Sequence, residues 1–277
     1  MKLNKINDFI VNKVHVPPLP SIENIAGGHL FPALYVNAFL IAPKNSGKST
    51  VLSSIILKSI NKKTNVIFFV STASKDSTYQ YIFDKLDKRN INYTVYNEIE
   101  QDGTNIIDTL IDGLLVSDPV VIRKKDKKVG TSSRGTEEPP PIHNLFEKEK
   151  EKVERKPKKS APKYIIVIDD MSNSTRDPCI ARLLKIHRHL KASVFISSQN
   201  INDLNPSAFR QLDYALIFRG LSSNIPKLEQ IHTNLDLPIE FDIFLEIYRD
   251  ATAQPYNFLW CSKSGKFRKN FNMEYEL

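Results

Sequence analysis

At 277 residues the chain has ample material for one large core or two small ones. Its 41% hydrophobic and 25% charged residues are the balance of a globular protein rather than a disordered or fibrous one, and no apolar run reaches membrane-spanning length. The net charge of +8 is concentrated: 14 Lys/Arg and 7 Asp/Glu lie between Arg123 and Lys163, against 25 basic and 24 acidic residues elsewhere, so a nearly neutral folded body is expected.

Residues 1–30, with Pro17-Pro18-Leu19-Pro20 and Gly27-Gly28, read as an irregular lead-in packed on the first strand. They contain no apolar core long enough for a secretory signal. Cys179 and Cys261 are too few and too distant for a disulfide framework, and an intracellular, reducing location is expected.

The stretch LYVNAFLIAPKNSGKST, Leu34–Thr50, organises the rest. Leu34 to Ile41 reads as a buried strand, a turn of small and polar residues follows, and Lys48 to Asn61 reads as a helix. Strand, loop and helix in that order are what a phosphate-binding loop requires. The loop Ala42, Pro43, Lys44, Asn45, Ser46, Gly47, Lys48, Ser49 and Thr50 would wrap phosphate oxygens with its backbone N–H groups (Pro43, having none, only shapes the turn), and the helix dipole favours negative charge there. Gly47 permits close approach, Lys48 can reach the β- and γ-phosphates of a nucleotide, and Ser49 can ligate Mg²⁺. Ala42 stands where the motif has its first glycine, which requires a negative φ at that position.

Further along, Asn65–Ser71 reads as a buried strand, Thr78–Arg89 as a helix, Tyr93–Tyr96 as a short strand and Thr104–Leu115 as a helix. Residues 122–162 are rich in proline and mixed charge and are expected to form a solvated, disordered insertion. Then come strand Tyr164–Asp170, helix Arg176–Leu190, strands Ser193–Ser198 and Tyr214–Phe218, and a helix near Ile239–Tyr248. A hairpin of Tyr256–Cys261 and Lys266–Phe271 turns at Ser264-Gly265. Its aromatic stretch Tyr256–Trp260 is assigned to the core rather than to a base-stacking platform. Alternating strands and helices predict an α/β fold, a mostly parallel sheet with helices on both faces and the hairpin at the C-terminal side.

Ile165–Asp170 (IIVIDD) ends a strand in two acids, where ligands of open α/β sheets bind. Asp169 would hold Mg²⁺ through water, opposite Ser49, and Asp170 would orient or deprotonate the attacking water. Gln199 follows the next strand and would position that water without adding charge. His187 and His189, two apart on a helix, point to different faces and do not suggest a metal site; packing is the expected role of His189.

The phosphate loop, IIVIDDM at Ile165–Met171, HRHLKASVFISSQN at His187–Asn200 and FRQLDYALIFRG at Phe209–Gly220 together resemble the poxvirus-type genome-packaging ATPases. These form part of the FtsK–HerA branch of P-loop motors, found in large DNA viruses, virophages and related elements. The resemblance covers about residues 30–120 and 163–275. It implies a RecA-like P-loop domain over 31–277, hydrolysing ATP with Mg²⁺ in a homo-oligomeric ring, with a hexamer as the expectation. The ring would drive double-stranded DNA into a preformed capsid, in contact with capsid or portal-vertex proteins. Host cytoplasm, a viral factory or the virion would be its location, without a membrane partner.

Ring motors use a cation from the neighbouring subunit, and Arg188, Arg210 and Arg219, expected on or near elements of the catalytic sheet edge, are candidates, with Arg188 and Arg219 preferred. Lys75 is a candidate for a DNA-contacting pore residue. Two other readings stand beside this one: a DNA pump of the HerA or conjugation type, and a capsid-associated scaffold that binds nucleotide without turnover.

Overall fold

Five runs of apolar residues with no inside–outside alternation can be satisfied only by covering both faces of a sheet, and they form its centre. The structure, a computed structural model, describes residues 20–71, 73, 76–116, 159–171 and 174–277. In chain order the strands are β1 (Asn37–Ile41), β2 (Asn65–Val70), β3 (Tyr93–Tyr96), β4 (Glu100–Gln101), β5 (Thr104–Asn105), β6 (Tyr164–Asp169), β7 (Ala192–Ser198), β8 (Tyr214–Phe218), β9 (Phe258–Ser262), β10 (Phe267–Lys269) and β11 (Met273–Glu274). The longer helices are α1 (Lys48–Ser59), α2 (Ser77–Lys88), α3 (Ile106–Val116), α4 (Pro178–Ile186), α5 (Pro206–Phe209), α6 (Ile225–Leu235) and α7 (Phe241–Ala251).

The main sheet has the order β11-β10-β9-β8-β1-β7-β6-β2-β3. Strands β8, β1, β7, β6, β2 and β3 run parallel, and β9 to β11 extend the sheet antiparallel. This is the mostly parallel α/β fold expected, with the hairpin at one side. Because side chains alternate along a strand, each central strand feeds two cores. Ala38, Leu40, Phe68, Val167 and Phe195 pack on one face with Leu52 and Ile56 of α1 and Ile82 and Leu86 of α2. Phe39, Ile41, Phe69, Ile168 and Ile196 pack on the other with residues of α3 to α7, including Ile111, Leu183, Phe209, Ile231 and Phe244.

Several boundaries differ from expectation for identifiable reasons. β1 begins at Asn37, not Leu34, because Asn37 is the first residue paired with β7, at Val194. Thr104 and Asn105 pair with β4, and the Asn105 side chain accepts from Ile107 N and Asp108 N, so the helix starts after it. The helix expected over Arg176–Leu190 shrinks to α4. Asp177 caps its N-terminus by accepting from Cys179 N, and the chain then turns through Lys191 at φ 54° to enter β7. α5 and α6 had no counterpart in the expectation, and α7 ends three residues later than expected. Most of the proposed insertion lies outside the described residues, but 159–162 are docked. Ser160 bridges Ile25, Ala26 N donates to Ser160 O at 2.8 Å, and Thr64 Oγ1 donates to Pro162 O at 2.9 Å. Within the lead-in, residues 20–30 include a short 3₁₀ turn, Ile22–Asn24; the rest of the lead-in, 1–19, is outside the described residues, as is Lys75. No described helix is long and apolar enough to cross a membrane.

Candidate nucleotide site

The parallel strands all end at one edge, and the loop between β1 and α1 crosses it. Ala42 is fully buried and its N–H donates to Ser198 O on β7 at 3.0 Å. Its φ is not positive, so alanine serves where the motif has glycine; the left-handed positions of this loop are Asn45 (φ 62°) and Gly47 (φ 84°). Gly47 is the N-cap of α1 and has no side chain to cap it, which leaves the first N–H groups of the helix pointing into the loop. Residues 43–50, with Asp76, Thr78, Asp170 and Gln199, line a cavity of about 310 Å³. The Ser46 hydroxyl is buried with no hydrogen-bond partner among the described residues.

Lys48 reaches across this edge. Its Nζ lies 2.9 Å from Asp169 Oδ1 and 2.5 Å from Asp170 Oδ1, and it is 8% exposed. The strands that carry the two motifs are not neighbours: β7, whose end carries Gln199, lies between β1 and β6. β7 nevertheless joins them, because Ser197 sits opposite Asp169 and donates its hydroxyl to Asp169 Oδ1. From the helical layer, Tyr79 donates its hydroxyl to Asp169 Oδ2 at 2.6 Å. Burial, reinforced by the Asp169 charge, raises the Tyr79 phenol far above its ordinary range, so it stays a donor. Both oxygens of Asp169 are thus engaged within the protein.

Asp170 leaves β6 at φ 52°, which turns its carboxylate away from the strand and over the loop. It also borders a second cavity of about 310 Å³, beside Glu98, Glu100 and Ser174. Gln199 is exposed at the end of β7 and faces the first cavity together with Asp170. The following turn is tied down by Asn200 N donating to Ser198 Oγ at 3.2 Å.

The arginines separate. Arg219 follows β8 and emerges exposed at the same edge, its N–H donating to Asn257 O at 3.3 Å. The next residue, Gly220 (φ 123°), backs the phosphate loop so closely that a β-carbon there would fall 2.7 Å from Pro43 Cγ. Arg188 and Arg210 precede β7 and β8 and therefore lie at the opposite edge, not at the edge where they had been expected. Arg188 pairs there with Asp213 at 3.2 Å, beside the start of β1, whose Asn37 N donates to Asp213 Oδ2 at 3.0 Å. Within one chain neither can approach Lys48. The histidines reverse the expectation too: His187 is the buried one and His189 is exposed.

Tyr79, Ser197 and Asp76 were absent from the sequence reading. Tyr79 carries no motif, and Ser197 becomes visible only through the register that sets it opposite Asp169. Tyr256 had been assigned to the hairpin core, yet it is 70% exposed, whereas Phe258 and Trp260 of the same stretch are buried. The difference has a simple cause: β9 begins at Phe258, so Tyr256 lies in the turn before it.

A hydroxyl at Ser49 and carboxylates at Asp169 and Asp170 are hard oxygen donors that suit Mg²⁺. Among the described residues no cluster of three or more His, Cys, Asp or Glu is arranged to hold a metal unaided. Such an ion would have to be shared with ligand phosphates, as Mg²⁺ commonly is.

No family model matches the chain, and no curated protein matches it. Solved structures share its fold. The genome-packaging NTPase B204 from Sulfolobus turreted icosahedral virus 2, in complex with AMP, aligns with a TM-score of 0.53 at 14% identity, over 88% of this chain and 99% of that one. The DNA-packaging ATPase B204 from Sulfolobus turreted icosahedral virus aligns at 0.51 with 16% identity, over 84% and 95%. The AMPPCP complex of the first protein aligns at 0.51 with 15% identity, over 85% and 97%.

Proposed function

We propose that the chain, as a single domain over 31–277, is an ATP-hydrolysing DNA translocase that packages double-stranded viral DNA into a preformed capsid, working as a homo-oligomeric ring. One observation carries the reading: Lys48, Asp169, Asp170 and Gln199, from three separate parts of the sequence, converge on one phosphate-sized loop. The shared fold with packaging NTPases crystallised with nucleotides supports it.

In this reading the N–H groups of residues 44–50 hold the phosphates, and Lys48 moves from its two aspartates to the β- and γ-oxygens. Water, positioned by Gln199 and Asp170, forms a bond to the γ-phosphorus. The bond to the β–γ bridging oxygen breaks, and the proton of the water passes to the Asp170 carboxylate. Asp169 is already held by Lys48, Ser197 and Tyr79, so it suits contact with a metal through water rather than directly. Mg²⁺ held by Ser49 and the phosphates would neutralise charge on the transferring group. Arg219 stands at the correct edge to act on a neighbouring subunit's site, whereas Arg188 would need an interface built on the opposite edge.

DNA binding needs positive charge that carboxylates do not cancel. Lys58, Lys62, Lys63, Lys159 and His29 line a cavity of about 700 Å³ at the end of α1, and none of the four lysines pairs with a carboxylate within 4.0 Å among the described residues. Burial and the nearby charges of Lys58 and Lys159 lower the His29 pKa, a sign of the local positive potential.

The test is steady-state release of phosphate from Mg·ATP by the wild type and by Lys48→Ala. The proposal expects turnover that the substitution abolishes, a loss of a hundredfold or more. Tight nucleotide binding without turnover would replace it with the scaffold reading.

A further inference from the structure

Tyr256 is the one aromatic ring of the C-terminal hairpin region that neither core takes in. Its position follows from topology. β9 runs antiparallel to β8, with Phe258 opposite Phe218, so the turn before β9 lands where β8 ends, beside Arg219 and the phosphate loop. There the ring lies against Gly47: a β-carbon on Gly47 would sit 3.3 Å from Tyr256 Cδ1.

The turn holds Tyr256 at φ 63°, a left-handed conformation that a bulky side chain rarely adopts and that persists only when its surroundings fix it. They do. Asn257 N donates to Gln254 O at 3.3 Å, and Asn257 O accepts from Arg219 N. The Asn270 side chain donates to Asn257 Oδ1 at 3.1 Å and accepts from Phe258 N at 3.1 Å. A rigid backbone thus presents an exposed, unstacked ring at the mouth of a phosphate site. Burial does not explain it, since 70% of the residue faces solvent.

We propose that Tyr256 is the platform on which the base of the bound nucleotide stacks, so that Gly47 and Tyr256 divide the ligand into phosphate and base halves. The inference rests on the reading that residues 43–50 bind the phosphates of a nucleotide. A ring face recognises the π-surface of a base and not its hydrogen-bonding edge. The platform therefore favours purine over pyrimidine nucleotides by area and discriminates weakly between adenine and guanine.

Calorimetric titration of the full chain with Mg·ATP, Mg·CTP and base-free tripolyphosphate tests this, using wild type, Tyr256→Phe and Tyr256→Ala. The expected outcome is about tenfold weaker ATP binding by Tyr256→Ala, the size of one lost stacking contact, with the ATP-over-CTP preference reduced. Tripolyphosphate binding should be unchanged, and Tyr256→Phe should match wild type. Unchanged ATP binding by Tyr256→Ala would overturn the platform alone. An equal loss of ATP and tripolyphosphate would overturn it too, since the ring would then merely shape the loop. A wild type that binds neither ligand would refute the nucleotide reading and this inference with it.

Discussion

Asp169 is held by three side chains of different origin: Lys48 from the loop, Ser197 from β7 and Tyr79 from α2. A buried carboxylate needs such partners, because an unsatisfied oxygen keeps its full desolvation cost. Tyr79→Phe keeps the ring in the core and removes only the donor. It should cost about 2 kcal/mol of stability, the usual worth of a hydrogen bond to a charged group, and should lower ATP turnover by freeing Asp169 to rotate. Urea unfolding and phosphate release measure the two effects; a variant equal to wild type in both would show that the hydroxyl does not hold the carboxylate. At this scale the sequence was a partial guide. Lys48 and Asp169 could be read from motifs, because a loop cradling phosphate and a strand ending in acid leave local patterns. Tyr79 could not, since its role depends on where α2 lies against β6.

Among the elements, the buried strands were readable for the same reason that they are central: a strand covered on both faces has no polar alternation. Their order was not readable. Nothing local in Ala192–Ser198 says that Ser197 becomes the link between the two motif strands, which only the register opposite Asp169 reveals. α6 escaped notice although Asn224 and a proline in the first turn mark its start, because its exposed face is polar and its apolar stripe is narrow. The turn from α4 to β7 is a joint of another kind. Asn37 Nδ2 donates to Leu184 O at 2.7 Å and Gln211 O at 3.0 Å, tying the approaches to β7 and β8 to the start of β1. His187 is buried in that joint, with Nδ1 2.8 Å from Leu184 O, Nε2 3.9 Å from Asp213, and Arg188 and His189 nearby.

Burial lowers the His187 pKa below 6.5, against the opposing pull of the Leu184 carbonyl and Asp213. The unfolded chain then takes up a proton that the native chain does not. Stability is full above the unfolded pKa and declines as pH falls below it, by at most about 1.4 kcal/mol per pH unit for one proton. Urea midpoints at about pH 7.5 and pH 5.5 should drop less for His187→Gln than for wild type. Equal drops would place the sensitive group elsewhere.

For the whole molecule, the question is how a nearly neutral body would grip a polyanion. The lysines around the end of α1 concentrate charge in one place, while the candidate nucleotide site lies at the other edge of the sheet. If duplex DNA contacts them, replacing Lys58, Lys62 and Lys63 by alanine should reduce the slope of log affinity against log salt by about two to three. It should leave ATP turnover in the absence of DNA unchanged. An unaltered slope, measured by fluorescence anisotropy with a labelled duplex, would remove this surface from the DNA path. The stretch from Arg123 to Lys163, most of it the 122–162 insertion, carries nearly all of the excess charge, and for that insertion the sequence revealed composition alone.

The account stands or falls on coupling between ATP hydrolysis at Lys48 and Asp170 and engagement of DNA. The direct measurement is ATP turnover by size-fractionated oligomer with and without double-stranded DNA, for wild type and Lys48→Ala. The account predicts turnover that duplex DNA stimulates severalfold and that Lys48→Ala eliminates under both conditions. Hydrolysis indifferent to DNA, or surviving the loss of Lys48, would contradict it.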